Sequence, residues 1–170
     1  MLHTELLRTR DVVILLKGDT FPVNVSTSLV QQEWVGGQGV TWDSEFTVSR
    51  SDGDPCGFLL WGADEASDQF TSLSRLQTTY RTAVMGLGGW LCSFRVFETY
   101  TWASRQVNGT TPITYTANRP LFYSLRGLLT TEDEWTLSGD PRAPNTFVVG
   151  IVAQVPSAAT NGYLTAELRL

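Results

Sequence analysis

Lysine and histidine are nearly missing from this chain of 170 residues. Lys17 is the only lysine and His3 the only histidine, whereas the chain has eleven arginines. A single histidine excludes a metal site built from several histidines, and it allows a catalytic histidine base only near the start of the chain. Charged residues make up 17% of the chain, fewer than the roughly 25% usual in soluble domains. Low charge leaves more of the surface to polar uncharged residues and to contacts with other chains.

The formal net charge of −5 bears on the partners of the protein. Binding to a nucleic-acid duplex needs clustered cations that displace counterions from the phosphates. An acidic chain with scattered arginines does not supply them, so we expect no duplex binding by this chain alone. Nor do we expect a membrane partner, because no run reaches the roughly 18 apolar residues of a membrane span.

Cysteine is also scarce, with Cys56 and Cys92 the only two. Both lie among apolar residues, which favours buried thiols that pack as small hydrophobic side chains. One pair of cysteines is too little to predict a disulfide, so that alternative stays open.

Short runs of β-branched and aromatic residues alternate with clusters of Gly, Pro, Asn and Asp along the whole chain. Such clusters are typical of turns, and the runs between them predict strands. The clearest is Leu164 to Leu170, in which apolar and polar residues alternate with the period of a strand that has one buried face. About nine strands are predicted in this way: 2–8, 12–16, 45–49, 57–62, 90–99, 111–116, 121–125, 147–153 and 164–170. No linker divides the chain, so we expect residues 1–170 to form a single domain.

A different period marks the segment from Ser67 to Val84. Its apolar residues recur at steps of three and four, which predicts a helix that ends before Gly86. A weaker helical turn is predicted over Ser28 to Trp34. The expected fold is therefore mostly β: an antiparallel β-sandwich, of the jelly-roll type, with one helix in a connection.

An acidic segment leads into the start of the predicted helix and includes Asp64, Glu65 and Asp68. Carboxylate oxygens are ligands that Ca²⁺ prefers, but acids also cap and stabilise the first turn of a helix. Both interpretations stay open, and no cofactor other than Ca²⁺ is expected. The chain has no Gly-x-Ser-x-Gly nucleophile motif, and no pair of carboxylates is singled out for acid–base chemistry. We therefore expect that the protein is not an enzyme.

Three stretches resemble the shell-domain jelly roll of the coat proteins of small icosahedral RNA viruses. They are His3 to Leu7, similar to the opening strand; Cys56 to Asp68, similar to a middle strand that leads into an acidic connection; and Phe147 to Leu170, similar to the two final strands. The resemblance implies self-assembly into a shell, in some members with Ca²⁺ between subunits, for which Asp64 and Asp68 are the corresponding positions. The Arg/Lys-rich N-terminal arm that neutralises RNA in that family has no counterpart here.

The predicted function is that of a structural virion protein that assembles with copies of itself or with other virion proteins into a capsid or shell. Its expected location is the virion. The excess of arginine over lysine agrees with a protein that meets other chains, although codon bias would produce the same excess. One alternative is a sandwich-type carbohydrate-binding or lectin-like module, in which exposed Trp34, Trp42, Trp102 or Trp135 stacks on sugar rings. Another is a phage tail or head-completion protein that forms rings.

Overall fold

The computed structural model describes residues 11–31, 34–50, 55–60, 82–104, 107–132 and 147–170, without the side chains of residues 30–31, 82–84, 102–104 and 107–109. Most of these residues lie in strands. The strands are β1 Val12–Leu16, β2 Thr20–Val25, β3 Gly39–Ser44, β4 Thr47–Arg50, β5 Gly57–Leu59, β6 Thr82–Gly86, β7 Trp90–Phe94, β8 Tyr100–Ser104, β9 Val107–Pro112, β10 Pro120–Tyr123, β11 Leu129–Thr130, β12 Gly150–Gln154 and β13 Leu164–Leu168. One short α-helix, α1 Thr27–Gln31, and a 3₁₀ turn at Ala158–Thr160 complete the described elements.

Six strands form an antiparallel sheet in the order β1-β7-β13-β12-β10-β11. Its centre is the hairpin of β12 and β13, in which Ile151 lies opposite Glu167. Near its end, the connection of this hairpin contains two residues with positive φ, Asn161 and Gly162, residue types that adopt that conformation at little cost. Strand β1 lies at one edge of the sheet and pairs with β7.

Five further strands close into a barrel in the order β2-β4-β3-β5-β6. Strands β2 and β4 are parallel neighbours, with Asn24 opposite Thr47, whereas the other barrel pairs are antiparallel. Helix α1 lies in the connection that makes the parallel pair possible, because parallel strands cannot be joined by a tight turn. The two remaining described strands, β8 and β9, form a separate hairpin.

Sheet and barrel pack against each other through β5. Phe58 belongs to the apolar core of the sheet, and its neighbour Leu59 belongs to the core of the barrel. This alternation follows from the strand period of two, which sends adjacent side chains to opposite faces. Close packing continues at Gly39, where a Cβ atom would lie 2.6 Å from the ring of Tyr123.

Several sequence predictions are confirmed. The described part of the chain is mostly β with few helical residues, and β1 coincides with the predicted strand at 12–16. The predicted strands at 45–49, 57–62, 90–99, 111–116, 121–125, 147–153 and 164–170 each overlap a strand, with shifted ends. Helix α1 overlaps the predicted turn at 28–34. The predicted strand 2–8 lies outside the described residues.

Other predictions need correction. The helix predicted over Ser67 to Val84 cannot extend to its predicted end, because Thr82 to Val84 belong to β6 and pair with β2; residues 67–81 lie outside the described part. The predicted jelly-roll sandwich is not confirmed, since five strands close into a barrel. Thr165, one of the polar residues predicted on the solvent face of β13, is buried. A hydrogen bond between its hydroxyl and Ser93 Oγ at 2.8 Å allows this burial.

Candidate functional site

The edge strand β1 exposes an unbroken apolar run. Val13, Ile14, Leu15 and Leu16 are 39%, 48%, 56% and 62% exposed, and only Val12 is buried. Exposed runs of this length are uncommon on soluble proteins unless they bind something. In the described part of the chain no strand pairs with the outer edge of β1. The backbone groups and apolar side chains of this edge together form a surface suited to contact with another chain.

Both ends of β1 are anchored. Before the strand, buried Asp11 forms an ion pair with Arg95, and its carboxylate accepts a hydrogen bond from the backbone N–H of Gly36 at 3.0 Å. After the strand, the indole N–H of Trp90 donates to the backbone carbonyl of Asp19 at 2.9 Å, and the Cα of Gly18 lies so near that ring that a Cβ would clash. The exposed run is therefore held in place at either side, which lowers the entropy lost when it binds a partner.

A bulge interrupts β1. Ile14 lies opposite Cys92 and Leu16 lies opposite Leu91, so Leu15 has no partner across the pair. An extra residue in one strand bends that strand and increases its twist. The bulge occurs where the apolar side chains are most exposed.

A buried ionic cluster organises the turn after β10. Glu98 is fully buried; its carboxylate accepts hydrogen bonds from Ser124 Oγ at 2.6 Å and from Arg126 Nε at 3.0 Å, and it also contacts Nη2 of Arg126. The hydrogen bond to Glu98 raises the pKa of the Arg126 guanidinium. The hydroxyl of Tyr115 donates a hydrogen bond to the Glu98 backbone carbonyl at 2.6 Å. Burial mainly, and the nearby Glu98 charge to a lesser extent, raise the pKa of this phenol. With every one of these contacts internal, the cluster is suited to a structural role.

A shallow cleft of about 360 Å³ lies between the β8–β9 hairpin and β10. Threonine is the most frequent residue type in its lining, which also contains one guanidinium and one carboxylate. The lining residues are Thr101, Pro112, Ile113, Thr114, Thr116, Arg119, Pro120, Phe122, Thr131 and Glu132. These hydroxyl, guanidinium and carboxylate groups offer hydrogen-bond donors and acceptors to a polar ligand.

The tryptophans predicted to stack on sugars differ in their surroundings. Trp34 is 7% exposed and belongs to the barrel core, so its predicted role as an exposed sugar contact is wrong. Trp42 is 46% exposed and contacts Phe21, which in turn stacks on Phe46. The side chain of Trp102 and the whole of Trp135 lie outside the described structure.

The predicted calcium ligands Asp64 and Asp68 lie outside the described residues. Within the described part, no three His, Cys, Asp or Glu side chains come together in a group that could hold a metal ion. Both cysteines are free, Cys92 buried and Cys56 half-buried. Burial raises the pKa of Cys92 to about 12 and also raises that of Cys56. Both groups are therefore thiols, and not reactive thiolates, at neutral pH.

The sequence predicts β1 but not its exposure. An unbroken apolar run such as Val12 to Leu16 is typical of a strand buried on both faces, so the local pattern points away from an exposed edge. The burial of Glu98 had no comparable signal.

None of the helices in the described ranges is long and apolar enough to cross a membrane. No model of a known protein family matches the chain, and no curated protein matches it in sequence. The functional argument therefore depends on the chain's own geometry.

Proposed function

We propose that this protein is a structural virion component that assembles with copies of itself, and that β1 is one of its assembly edges. The observation that carries the proposal is the anchored strand with four consecutive exposed apolar residues, Val13 to Leu16. Pairing with a second chain would satisfy its outer backbone groups and would remove these side chains from water.

A second copy of β1 suits this edge because the strand carries no charge. In an antiparallel pair of two such strands no like charges lie opposite each other along Val12 to Leu16. Stable interfaces bury roughly 800 Å² per partner, more than five residues provide. The strand therefore supplies the apolar centre and the register of the interface, and neighbouring surface supplies the rest.

The virion assignment is supported by the resemblance to coat proteins, by the mostly β architecture and by the low charge of the chain. As part of the same proposal, the six-stranded sheet and the barrel strands that pack on it form the two layers of a sandwich related to the jelly roll. Calcium at Asp64 and Asp68 is a proposed contribution to contacts between subunits. The proposed partners are other copies and other virion proteins.

Light scattering coupled to size exclusion tests the assembly edge. The variant Leu15→Lys adds a charge at the bulged position, where the native side chain is 56% exposed, so it should fold but should not pair. The matched control is Val148→Lys, at an apolar residue 48% exposed on another part of the surface. We expect the wild type and the control to associate equally well, and Leu15→Lys to associate at least about tenfold more weakly.

A wild-type monomer at high concentration, with and without Ca²⁺, would overturn the proposal. If Leu15→Lys associates as strongly as the wild type, β1 is not an assembly edge. Electron micrographs of the assembled wild type then distinguish the forms, since closed shells support a capsid protein and rings support the tail or head-completion alternative.

A further inference from the structure

Three aromatic side chains, Phe21, Trp42 and Phe46, form a cluster on the barrel that we call the aromatic corner. The ring of Phe21 lies 5.9 Å from that of Trp42 at an interplanar angle of 90°, and 6.2 Å from that of Phe46 at 9°. The rings of Trp42 and Phe46 therefore stand nearly perpendicular to each other, and both contact Phe21.

Position along the strands explains the corner. Phe21 is two and four residues from buried Val23 and Val25 of β2, so it lies on the same face of that strand. Trp42 is likewise two residues from buried Val40 of β3 and shares its face. Both rings thus extend the apolar interior to one end of the barrel. Phe21 packs on the barrel core, but Trp42 and Phe46 are 46% and 54% exposed. Closing the barrel does not require that much aromatic surface in water.

The backbone at Phe46 is a second and independent observation. Phe46 has φ of 56° in the two-residue turn between Ser44 and Thr47, which pair with each other. Gly or Asn would adopt this conformation at less cost, whereas a bulky side chain is strained there. Phe46 keeps this conformation although 54% of the residue is exposed, and strain of this kind concentrates at binding sites.

The polar groups beside the corner indicate the class of ligand. Asp43, Ser44 and Glu45 lie between Trp42 and Phe46 in the chain and are exposed, so they offer carboxylate and hydroxyl acceptors beside the corner. Two carboxylates repel anionic ligands such as nucleic acid. A neutral sugar suits the site because its apolar ring face can pack on aromatic rings while its hydroxyls donate to carboxylates.

We propose that the aromatic corner binds a neutral sugar ring of a glycan, with Trp42 and Phe46 contacting the ring and the side chains of Asp43, Ser44 and Glu45 accepting hydrogen bonds from its hydroxyls. The site lies on the barrel and is distinct from the assembly edge β1, so it does not depend on the proposed function. It would give an assembling protein a contact with a glycosylated surface.

Titration with soluble neutral oligosaccharides tests the site. Hexamers of α1,4-glucose, β1,4-glucose, β1,3-glucose, β1,4-xylose and β1,4-mannose are added to the full chain, with binding followed by calorimetry and by tryptophan fluorescence. We expect at least one hexamer to bind with Kd of about 1 mM or tighter.

Two variants and one control follow. Trp42→Ala should weaken the binding about tenfold or more. Phe46→Gly should weaken it similarly while relieving the backbone strain, so a loss of binding with unchanged thermal stability cannot be attributed to unfolding. Tyr100→Ala is the matched control, since this exposed aromatic residue lies on the β8–β9 hairpin, and it should bind as the wild type does.

Failure of every oligosaccharide to bind would overturn the proposal, as would binding by Trp42→Ala at the wild-type strength. If Trp42→Ala instead reduces the mass seen in light scattering and no sugar binds, the corner is a contact between copies and the sugar proposal is wrong. Leu15→Lys separates the two proposals, because it should lose assembly and keep sugar binding.

Discussion

The buried carboxylate of Glu98 should carry a large part of the stability of the region around β10 and β11. Replacing Glu98 by Ala removes the acceptor of the Ser124 hydroxyl and the partner of the Arg126 guanidinium. Ser124 is itself fully buried. Ser124 Oγ already accepts hydrogen bonds from the backbone N–H groups of Arg126 and Leu128. The hydroxyl proton of Ser124 would therefore lose its acceptor while it stays buried.

The magnitude follows from the exposure of the partners. Removing one member of a buried ion pair costs about 3–5 kcal/mol. The Arg126 side chain is 40% exposed, so water can solvate the guanidinium once the carboxylate is gone, and the loss lies at the low end, about 3 kcal/mol. With a urea dependence of about 2 kcal/mol per molar, the midpoint of unfolding falls by about 1.5 M.

Urea unfolding followed by tryptophan fluorescence and circular dichroism is the assay, at one protein concentration so that any association is constant. The matched control is Glu167→Ala, because Glu167 pairs with Arg169 on the surface at 3.0 Å, with side chains 45% and 61% exposed. That substitution should cost less than about 1 kcal/mol. Glu98→Leu combined with Arg126→Leu should lose less than Glu98→Leu alone, since no unpaired charge remains. Equal losses for Glu98→Ala and Glu167→Ala would refute the reasoning.

Three further outcomes are expected. Gly39→Ala should lower the free energy of unfolding by about 1–3 kcal/mol, because its Cβ would lie 2.6 to 2.8 Å from three ring atoms of buried Tyr123; an unchanged melting temperature would contradict this packing. The free energy of unfolding should fall as pH rises from about 9 towards 12. Burial raises the pKa of Cys92 to about 12 and the pKa values of Tyr115 and Tyr123 above their usual range, so these groups lose their protons in the unfolded chain before they do in the folded one. A constant free energy of unfolding in urea titrations over this pH range would disprove the prediction. Iodoacetamide at pH 8 should modify Cys92 only after unfolding, because the buried thiol keeps its proton, and mass spectrometry of the native protein would reveal any earlier reaction.

Local patterns were sufficient for much of the secondary structure. The run Val12 to Leu16 and the alternation in Leu164 to Leu170 predict strands that the structure contains. The helix predicted up to Val84 fails at its end, because apolar steps of three and four also occur by chance and pairing with β2 overrides them. Strands β2, β3, β6, β8 and β11 were missed, among them Thr20–Val25, whose Pro22 argues against a strand in a sequence reading.

The sequence by itself determined the mostly β class, the position of many strands and turns, and the acidic, lysine-poor surface, because these depend on composition and on residues close together in the chain. Only the tertiary structure decided that five strands close into a barrel, that β1 is an exposed edge, and that Trp34 is buried while Trp42 faces solvent. It also decided that Glu98 is buried beside Ser124 and Arg126, which follow it by 26 and 28 residues. The physical reason is that strand pairing and burial join residues far apart in the chain, and the local pattern of a strand does not specify which neighbour it pairs with.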